Sequence, residues 1–475
     1  MLTTKTILGA GWTVSSRLAG RLIDFVTVLV LARMLSPADF GLTALAMTLT
    51  TIVDMVLEVP LIQALTRLPE VRKSHIDTAF TLGVLRGLFL LFVVLAAAWP
   101  FSYIYHDNRL IPLVATTAIG PLMRSFYSPA MVKYVREMSF RQIFIAEFVG
   151  KIIAATIAIS VLYLGGGYWA IVANGVSASV AATLISYILA PYRPRITLAD
   201  FSDFSGFLGW FSTAQIVIAF SWQFDRILLG YFVNRSDLGH YTMATDLAVL
   251  PTQSLIGPAM QPVMAAFSRI HNDRKRLQNA YSKASQLTML VAVPICIGMS
   301  LTSDLLVNVL LGAKWKEVDV FLQWLALATM LSAFYPPVHA LALATNRTNV
   351  VFRLSLTEFL LRIVLIPLGL HFYSLMGAIF ARLLISLIMF VLVFATARQL
   401  TGFNTATEAF KLGKIAAAGV IMALLVLVVR HEMAAQHVGM LIELVVTVCV
   451  GAAVYFGALY ALGVRLMTNW RLAIG

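Results

Sequence analysis

The sequence predicts an all-α integral membrane protein with about fourteen transmembrane helices, since one helix needs about 20 apolar residues to cross a hydrocarbon core about 30 Å thick. Composition is the first observation behind this prediction. Of the 475 residues, 60% are hydrophobic and 12% are charged, whereas soluble domains average about 45–50% and about 25%. The second observation is that the apolar residues form long continuous runs, not the alternating pattern of a transmembrane β-barrel. A soluble enzyme is therefore excluded.

The predicted spans follow one another along the whole chain, each an apolar run bounded by charges, glycine or proline. In chain order they are 7–33, 41–66, 77–102, 110–132, 141–164, 167–190, 206–233, 238–268, 284–311, 318–345, 350–371, 374–397, 412–430 and 440–464. The eighth run contains Pro251, Pro258 and Pro262. We expect a kink there, because each proline ring removes a helical hydrogen bond.

The basic residues predict the orientation of these spans. With the N-terminus in the cytoplasm, inner segments hold 21 of the 35 lysines and arginines and outer loops hold six, as the positive-inside rule requires. Both termini are therefore expected to be cytoplasmic. No cleavable signal peptide is expected, because Arg17 and Arg21 interrupt the first apolar run.

Two sets of landmarks indicate an internal repeat. An Asp-x-Gly string at 39–41 recurs at 237–239, and Pro60 recurs as Pro258, both at a shift of 198 residues. An acid-base pair with i,i+4 spacing also occurs in the fifth and eleventh spans. These pairs are Glu147 with Lys151 and Glu358 with Arg362. The repeat predicts two pseudo-repeated six-helix lobes plus two C-terminal helices.

The expected domains are an N-lobe at 1–200, a C-lobe at 201–400 and the two appended helices at 401–475. Many transporters place their substrate cavity between such repeats.

Basic residues within the spans are the strongest functional signal. Each would cost roughly 3 kcal/mol against lipid, so each must face the protein interior or water. There are eight of them: Arg17, Arg21, Arg86, Arg124, Lys151, Arg226, Arg362 and Arg382.

Arg17, Arg21 and Asp24 lie on one stripe of the first helix, at i, i+4 and i+7. Two guanidinium groups can bind a phosphate or pyrophosphate bidentately, with Asp24 orienting one of them. The alternative is an internal ion-pair network that holds helices together. Two arginines for one aspartate leave positive charge uncompensated within this helix, which favours the binding site.

Arg86 and Arg124 are lone cations on the third and fourth spans, and lining of a cavity is favoured over pairing with Asp54 or Glu58. Those two carboxylates are spaced i,i+4 in the second span. They are candidates for proton coupling, or alternatively counter-charges for the arginines.

The remaining intramembrane charges are possible cavity charges with strong structural alternatives. The Glu147–Lys151 and Glu358–Arg362 pairs are expected to be largely self-neutralising. Adjacent residues on a helix point about 100° apart, so Asp225 and Arg226 cannot face one partner; a helix clamp and a cavity role stay open for them. Arg382 is favoured slightly as cavity lining.

No metal site or cofactor is expected. No His-x-x-x-His spacing lies within a span, and nucleotide-binding and serine-hydrolase motifs are lacking. Cys296 and Cys449 each sit in an apolar stretch and are expected to be small buried hydrophobes. The net charge of +13 comes from cations that punctuate apolar runs, so nucleic acid is not an expected partner.

Several local strings resemble one known group of transporters. They are Gly11-Trp12-Thr13, Leu35-Ser36-Pro37-Ala38-Asp39-Phe40-Gly41, Phe140-Arg141, Gly167-Tyr168-Trp169-Ala170-Ile171-Val172, Asp225-Arg226-Ile227-Leu228-Leu229-Gly230, and Leu238-Gly239 with Tyr241. Together they resemble the polysaccharide exporters of the multidrug/oligosaccharidyl-lipid/polysaccharide (MOP) superfamily. The resemblance is greatest to Wzx-type lipid-linked oligosaccharide flippases. It covers nearly the whole chain and is weakest after residue 400.

The resemblance implies a two-lobe helical transporter of the bacterial inner membrane with a V-shaped cavity that opens alternately to each face. The implied substrate is an undecaprenyl-pyrophosphate-linked oligosaccharide, as used for exopolysaccharide, O-antigen or colanic acid. It would move from the cytoplasmic to the periplasmic leaflet, with a polysaccharide polymerase and export machinery as partners. Related flippases place arginines of the first helix in the cavity, where Arg17, Arg21 and Asp24 match.

Three alternatives stay open. A drug or metabolite antiporter of the same superfamily would need a carboxylate-rich cavity. A membrane polysaccharide polymerase or ligase would need a large periplasmic loop, and the predicted outer loops are short. A scaffold protein would not need eight intramembrane cations. A flippase that is not an enzyme is thus the favoured interpretation.

Overall fold

Helices account for all regular secondary structure in the part of the chain that the computed structural model describes, residues 19–59, 61–68, 70–137, 139, 141–202, 219–436 and 438–464. The packing divides the chain into two compact units, Met1–Gly239 and His240–Gly475. This division follows contacts and not the sequence repeat, so the lobes expected at 1–200, 201–400 and 401–475 stay a prediction.

The helices differ widely in length, from five residues in α7 to 54 in α16. In chain order they are α1 (19–34), α2 (Pro37–Val56), α3 (Leu61–Arg67), α4 (Lys73–Ile104), α5 (Leu110–Thr117), α6 (Ile119–Ser125), α7 (Val132–Arg136), α8 (Arg141–Tyr163), α9 (Trp169–Leu189), α10 (219–232), α11 (Arg235–Ile270), α12 (Arg274–Leu301), α13 (Ser303–Leu310), α14 (Val318–Ser332), α15 (Tyr335–Ala344), α16 (Thr348–Thr401), α17 (Thr405–Ala435) and α18 (Met440–Ala461).

The predicted all-α membrane fold is confirmed. Within the described ranges, nine helical segments are long and apolar enough to cross a bilayer: α2, α4, α8, α9, α12, α14 with α15, α16, α17 and α18. The 54-residue α16 would be about 80 Å long if straight, which is more than two bilayer cores. It bends instead at Tyr373 and Ser374, where the backbone is not helical, between the predicted spans 350–371 and 374–397. The count of fourteen spans stays a prediction.

Residues 35–41 form the start of α2 for a simple local reason. The Ser36 hydroxyl accepts a hydrogen bond from the Asp39 amide at 3.2 Å, and the Asp39 carboxylate accepts one from the Ser36 amide at 3.0 Å. This is a capping box, and Pro37 occupies the first helical position, which suits its fixed φ. The start of α11 is built alike, since Asn234 accepts a hydrogen bond from the Asp237 amide at 2.8 Å.

The glycines of the two repeated strings touch. A Cβ added to Gly41 would collide with the carbonyl of Arg235 and lie 2.9 Å from the amide nitrogen of Gly239. A Cβ added to Gly239 would collide in turn with the carbonyl of Pro37. The contact is reciprocal at the repeat shift of 198 residues, so the backbones of α2 and α11 meet where the repeat predicted equivalent positions.

The N-terminal unit has two ends, which we name after a residue at each. At one, which we call the Ser36 end, α1 turns into α2 and α8 turns into α9, and a buried cluster forms from Leu31, Leu35, Leu162 and Ala170. At the other, the His75 end, α4 begins and α9 ends.

The C-terminal unit corrects one expectation from the sequence. Cys296 is buried in α12, as expected, but Cys449 is exposed on α18. α18 is an apolar span. The hydrophobic pattern alone therefore cannot distinguish its exposed positions from its buried ones.

Candidate functional site

The charged stripe of α1 is partly described. Arg17 lies outside the described residues. Arg21 is exposed, and Asp24 follows one turn later. The Asp24 carboxylate accepts a hydrogen bond from Lys151 Nζ of α8 at 2.5 Å, and Lys151 also donates to the carbonyl of Gly20 at 3.3 Å. Because Gly20 has no side chain, the ammonium can reach both acceptors.

This geometry corrects the predicted pairing of Lys151 with Glu147. Lys151 forms its ion pair with Asp24, on another helix, and Glu147 is exposed without an ion pair to any described residue. The ion pair also differs from the expected role of Asp24. The sequence predicted that Asp24 orients an arginine of α1, whereas in the described residues its ion-pair partner is Lys151. The Asp24 side chain is 42% exposed and that of Lys151 is 29% exposed, so the pair borders open space.

Arg124 of α6 is the second exposed guanidinium. Its Nε donates to the hydroxyl of Ser179 on α9 at 3.3 Å, and Ser179 in turn donates to the carbonyl of Gly175 at 3.2 Å. Among the described residues, no carboxylate lies within ion-pair distance of Arg124 or of Arg21. The lone-cation prediction for Arg124 therefore agrees with the described part of the chain. Ser179 was not predicted, since a serine on an apolar helix carries no distinguishing pattern.

Three cations lie at a similar depth in this unit. Counted along their helices from the Ser36 end, Arg21, Lys151 and Arg124 are each about 18–21 Å deep. That is near the middle of a hydrocarbon core about 30 Å thick. Helix contacts connect them, because Lys151 reaches α1, α8 packs closely on α9 at Gly150, and Arg124 bonds to α9. Asp24 pairs with Lys151, and the exposed Glu147 lies one helical turn from Lys151, so the described charges within one turn of this depth leave a surplus of one positive charge.

Arg86 is not a free cavity cation, which corrects the favoured interpretation of that residue. It forms an ion pair with Asp54 at 2.5 Å. It also donates to the backbone carbonyls of Asp54 at 2.7 Å and Leu57 at 2.8 Å. These carbonyls belong to the last turn of α2, which lacks onward helical partners. Arg86 thus closes the end of α2.

The expectation for Glu58 is also corrected. α2 ends at Val56, and Glu58 lies beyond it in non-helical chain. The proposed i,i+4 relation with Asp54 on one helix face therefore does not exist. The sequence predicted one span over 41–66 because apolar residues continue past the end of α2. Pro60 was the residue that indicated this end.

Other predicted charges fall into two groups. The Glu358–Arg362 pair is present on α16 at 2.5 Å, as the spacing predicted. Asp225 is buried on α10, while Arg226 there and Arg382 on α16 are half-buried, and each of these three has an interaction partner. Their role as cavity charges stays a prediction.

The sequence did not predict a clamp around Arg430, which is one of the six basic residues assigned to outer loops at the ends of the predicted spans. Arg430 lies in α17 and donates to the carbonyl of Leu301. It forms ion pairs with Asp304 at 2.6 Å and with Glu443 of α18 at 3.4 Å. A carboxylate inside the last apolar run, Glu443, was the available signal. The clamp ties α17 and α18 to the end of α12.

Polar contacts at the Ser36 end join the α4–α5 turn to α10 and α11. Arg235 donates to the carbonyl of Tyr105 at 2.8 Å and lies 3.6 Å from Asp107. Burial alone would raise the pKa of Asp107, but hydrogen bonds from Arg109 and the charges of both arginines outweigh it and lower that pKa. Burial raises the pKa of Tyr105 to about 12, so its hydroxyl stays a donor to Ile227.

Two concavities of the described N-terminal unit lie away from the three mid-depth cations. One of about 380 Å³ is lined mostly by apolar side chains of α8 and α9, Trp169 among them, and by Thr116 of α5. The other, about 480 Å³, lies at the Ser36 end beside Tyr105, Tyr231 and Arg235.

Comparison with known proteins gives a consistent result. A family model described as polysaccharide biosynthesis protein matches residues 30–320. The succinoglycan biosynthesis transport protein ExoT of Rhizobium meliloti is 26% identical over 349 residues, which are 70% of this chain and 69% of that protein. The lipopolysaccharide biosynthesis protein WzxC of Escherichia coli is 21% identical over 399 residues, 82% of this chain and 80% of that protein. The teichuronic acid biosynthesis protein TuaB of Bacillus subtilis is 22% identical and covers 74% of each chain.

Solved structures support the fold. The lipid II flippase MurJ in an inward closed conformation has a TM-score of 0.75 at 14% identity, covering 97% of this chain and all of that one. An inward-facing multidrug resistance MATE family transporter of the MOP superfamily has a TM-score of 0.62 at 13% identity, covering 82% of this chain. The chain therefore shares the fold of these two transporters.

Proposed function

We propose, from the premise that this chain belongs to the polysaccharide biosynthesis protein family, that it is a flippase for a lipid-linked oligosaccharide. Its substrate would be an undecaprenyl-pyrophosphate-linked repeat unit, moved from the cytoplasmic to the periplasmic leaflet of the bacterial inner membrane by alternating access. The relatives named for succinoglycan, lipopolysaccharide and teichuronic acid biosynthesis support a polysaccharide precursor as the substrate class. The shared fold with a lipid II flippase supports the mode of action.

One observation carries the proposal: Arg21 and Arg124, which form no ion pair with any described residue, bring two guanidinium groups to the mid-depth of the N-terminal unit. A cation at this depth is unfavourable against lipid and marks a water-filled or ligand-filled space. A pyrophosphate presents several anionic oxygens, and each guanidinium can bind two of them in a planar fork. The Lys151–Asp24 pair at a similar depth adds a donor with little net charge. An organic cation would be repelled from this position.

The headgroup site explains how a polar substrate can cross. Binding of the anionic pyrophosphate replaces the water that otherwise solvates these arginines, so loaded and empty carriers both avoid a bare charge in the membrane. We propose no chemical conversion of the substrate. Net transport then requires removal of product by a polymerase or coupling to an ion gradient. Coupling through Asp54 would require Arg86 to release that carboxylate during the cycle.

The test is flipping of a fluorescent undecaprenyl-pyrophosphate oligosaccharide in vesicles containing purified protein. Arg21→Ala and Arg124→Ala are each expected to lower the rate at least tenfold, because charge-assisted hydrogen bonds contribute about 1.5–3 kcal/mol each. Arg21→Lys should recover only part of the rate, since an ammonium lacks the planar fork. Arg17→Ala tests the remainder of the stripe.

Arg109→Ala is the matched control, because Arg109 is an exposed arginine at the Ser36 end with Asp107 as its partner. It should flip substrate at the wild-type rate. Full activity of the Arg21→Ala, Arg124→Ala double variant would contradict the headgroup site.

The proposed orientation has its own test. Single cysteines at Ser74 and Asn108, in a background without Cys296 and Cys449, are treated with an impermeant thiol reagent on intact cells. Asn108→Cys should be labelled from outside and Ser74→Cys only after permeabilisation. The reverse pattern would contradict the topology while leaving the headgroup site untouched.

A further inference from the structure

The segment that follows α9, residues 191–202, is a strap that lies along the start of α4; residues 191–198 are in neither a helix nor a turn, and a turn follows at 199–201. The Tyr192 hydroxyl donates to Asp77 at 2.5 Å, and the Thr197 amide donates to the Thr81 hydroxyl at 3.0 Å. Burial, and after it the hydrogen bond and charge of Asp77, raise the pKa of Tyr192. The hydroxyl therefore keeps its proton, and the strap keeps this anchor, through neutral pH.

A third anchor lies further along the strap. The Asp200 amide donates to the hydroxyl of Thr78 at 3.4 Å, and the Asp200 carboxylate lies 3.9 Å from His75. Thr78 and His75 are buried. The strap is thus fixed to α4 on both sides of its central residues.

The residues between the anchors project away from the protein. Arg193 and Arg195 are exposed, and Ile196 is 88% exposed. Leu198 and Phe201 are also exposed large apolar side chains. The strap therefore presents two guanidinium groups next to apolar side chains, and its one carboxylate, Asp200, is directed at His75.

The depth of the anchors places this surface at the edge of the hydrocarbon. α4 has 32 residues and is about 48 Å long, so a core about 30 Å thick centred on it begins near Ala79. The anchoring residues Asp77, Thr78 and Thr81 lie at that level. α9, with 21 residues, spans about 31 Å and ends at Leu189, just before the strap.

We propose that the strap is a membrane-surface contact in which Arg193 and Arg195 bind the phosphate groups of anionic phospholipids and Ile196 enters the boundary of the acyl chains. Paired cationic and apolar side chains are what an acidic lipid surface binds. Each guanidinium is expected to strengthen the contact roughly fivefold near a negatively charged leaflet. The positive-inside orientation makes this the cytoplasmic leaflet. The contact needs no substrate, so it is independent of the headgroup site.

An environment-sensitive fluorophore on Ile196→Cys, in a background without Cys296 and Cys449, tests the contact. The protein is placed in nanodiscs of phosphatidylcholine alone or with about a third phosphatidylglycerol, the anionic lipid that should favour binding. In the anionic discs we expect blue-shifted emission and quenching by lipids spin-labelled near the headgroup. A fluorophore on Asn108→Cys, an exposed polar loop position, should remain in water in both discs.

Charge variants make the test specific. With Arg193→Glu and Arg195→Glu together, the dependence on phosphatidylglycerol should be lost, whereas lysine at both positions should keep it. Gel filtration of each variant checks folding, and Arg21→Ala should leave the fluorophore signal unchanged, which separates this contact from the transport site.

Two outcomes would overturn the proposal. One is water-like, unquenched emission of the Ile196 fluorophore in anionic discs. The other is protection of the fluorophore by a soluble acidic peptide in neutral discs with no response to phosphatidylglycerol, which would assign the strap to a protein partner.

Discussion

Replacing Lys151 by methionine leaves the Asp24 carboxylate without its ion-pair partner near the middle of the membrane. A carboxylate at the bilayer centre costs about 2.5–3.5 kcal/mol on the insertion scale. Because Asp24 is 42% exposed, water screens part of this, and we expect a loss of about 1–2 kcal/mol in the free energy of unfolding. Adding Asp24→Asn should restore most of the loss, because the charge that lacked a partner is then gone.

The measurement is unfolding of the purified protein in mixed micelles by SDS titration, for both single variants and the double variant. Glu147→Gln is the matched control: it removes the carboxylate one turn before Lys151 and should be near neutral. The reasoning is refuted if Glu147→Gln destabilises as much as Lys151→Met, or if the double variant is no more stable than Lys151→Met alone.

Three further predictions concern other parts of the molecule. Gly41→Ala should lower the free energy of unfolding by about 1–3 kcal/mol through overpacking against the backbone of Arg235 and Gly239. Gly257→Ala places its methyl group in open space and should not, and thermal melts compare the two variants. A pH gradient imposed across vesicles should speed flipping by the wild type and not by Asp54→Asn, and equal wild-type rates with and without the gradient would remove proton coupling. Because the pKa of Asp107 is lowered in the folded protein, its carboxylate stabilises the fold above the ordinary carboxyl pKa of 3.8. That stability is lost as the pH falls through the lower pKa of the folded state. Thermal melts at acidic pH should therefore show a smaller fall in melting temperature for Asp107→Asn than for the wild type.

Pairs within one helix could be predicted from the sequence, and pairs between helices could not. Glu358 and Arg362 are four residues apart on one helix, so their side chains are neighbours whatever the tertiary fold. Glu147 and Lys151 are also four residues apart on one helix, but Lys151 bonds to Asp24, 127 residues away. That choice depends on which helices pack together, and helical periodicity carries no such information.

Local backbone chemistry explains the errors around α2. The polar residues at 36–39 signal a helix start because their side chains satisfy free amide groups, and the structure has that start. The end near Glu58 was missed because hydropathy continues across it. Arg86 was mistaken for a free cation for the same reason: its acceptors include backbone carbonyls at a helix end that the apolar pattern did not show.

The bend at Tyr373 and Ser374 also governs how the chain enters the bilayer. Two non-helical residues join the two arms of α16, and two residues reach at most about 7 Å. This link is too short for the second arm to remain at the membrane surface after the first arm has been inserted. We therefore expect both arms to enter together as a helical hairpin. The backbones of Gly369 and Gly377 meet just inside this link, where a Cβ on either would collide with the carbonyl of the other. A side chain at either glycine would therefore push the two arms apart, and we expect a bulkier residue there to reduce the number of molecules inserted.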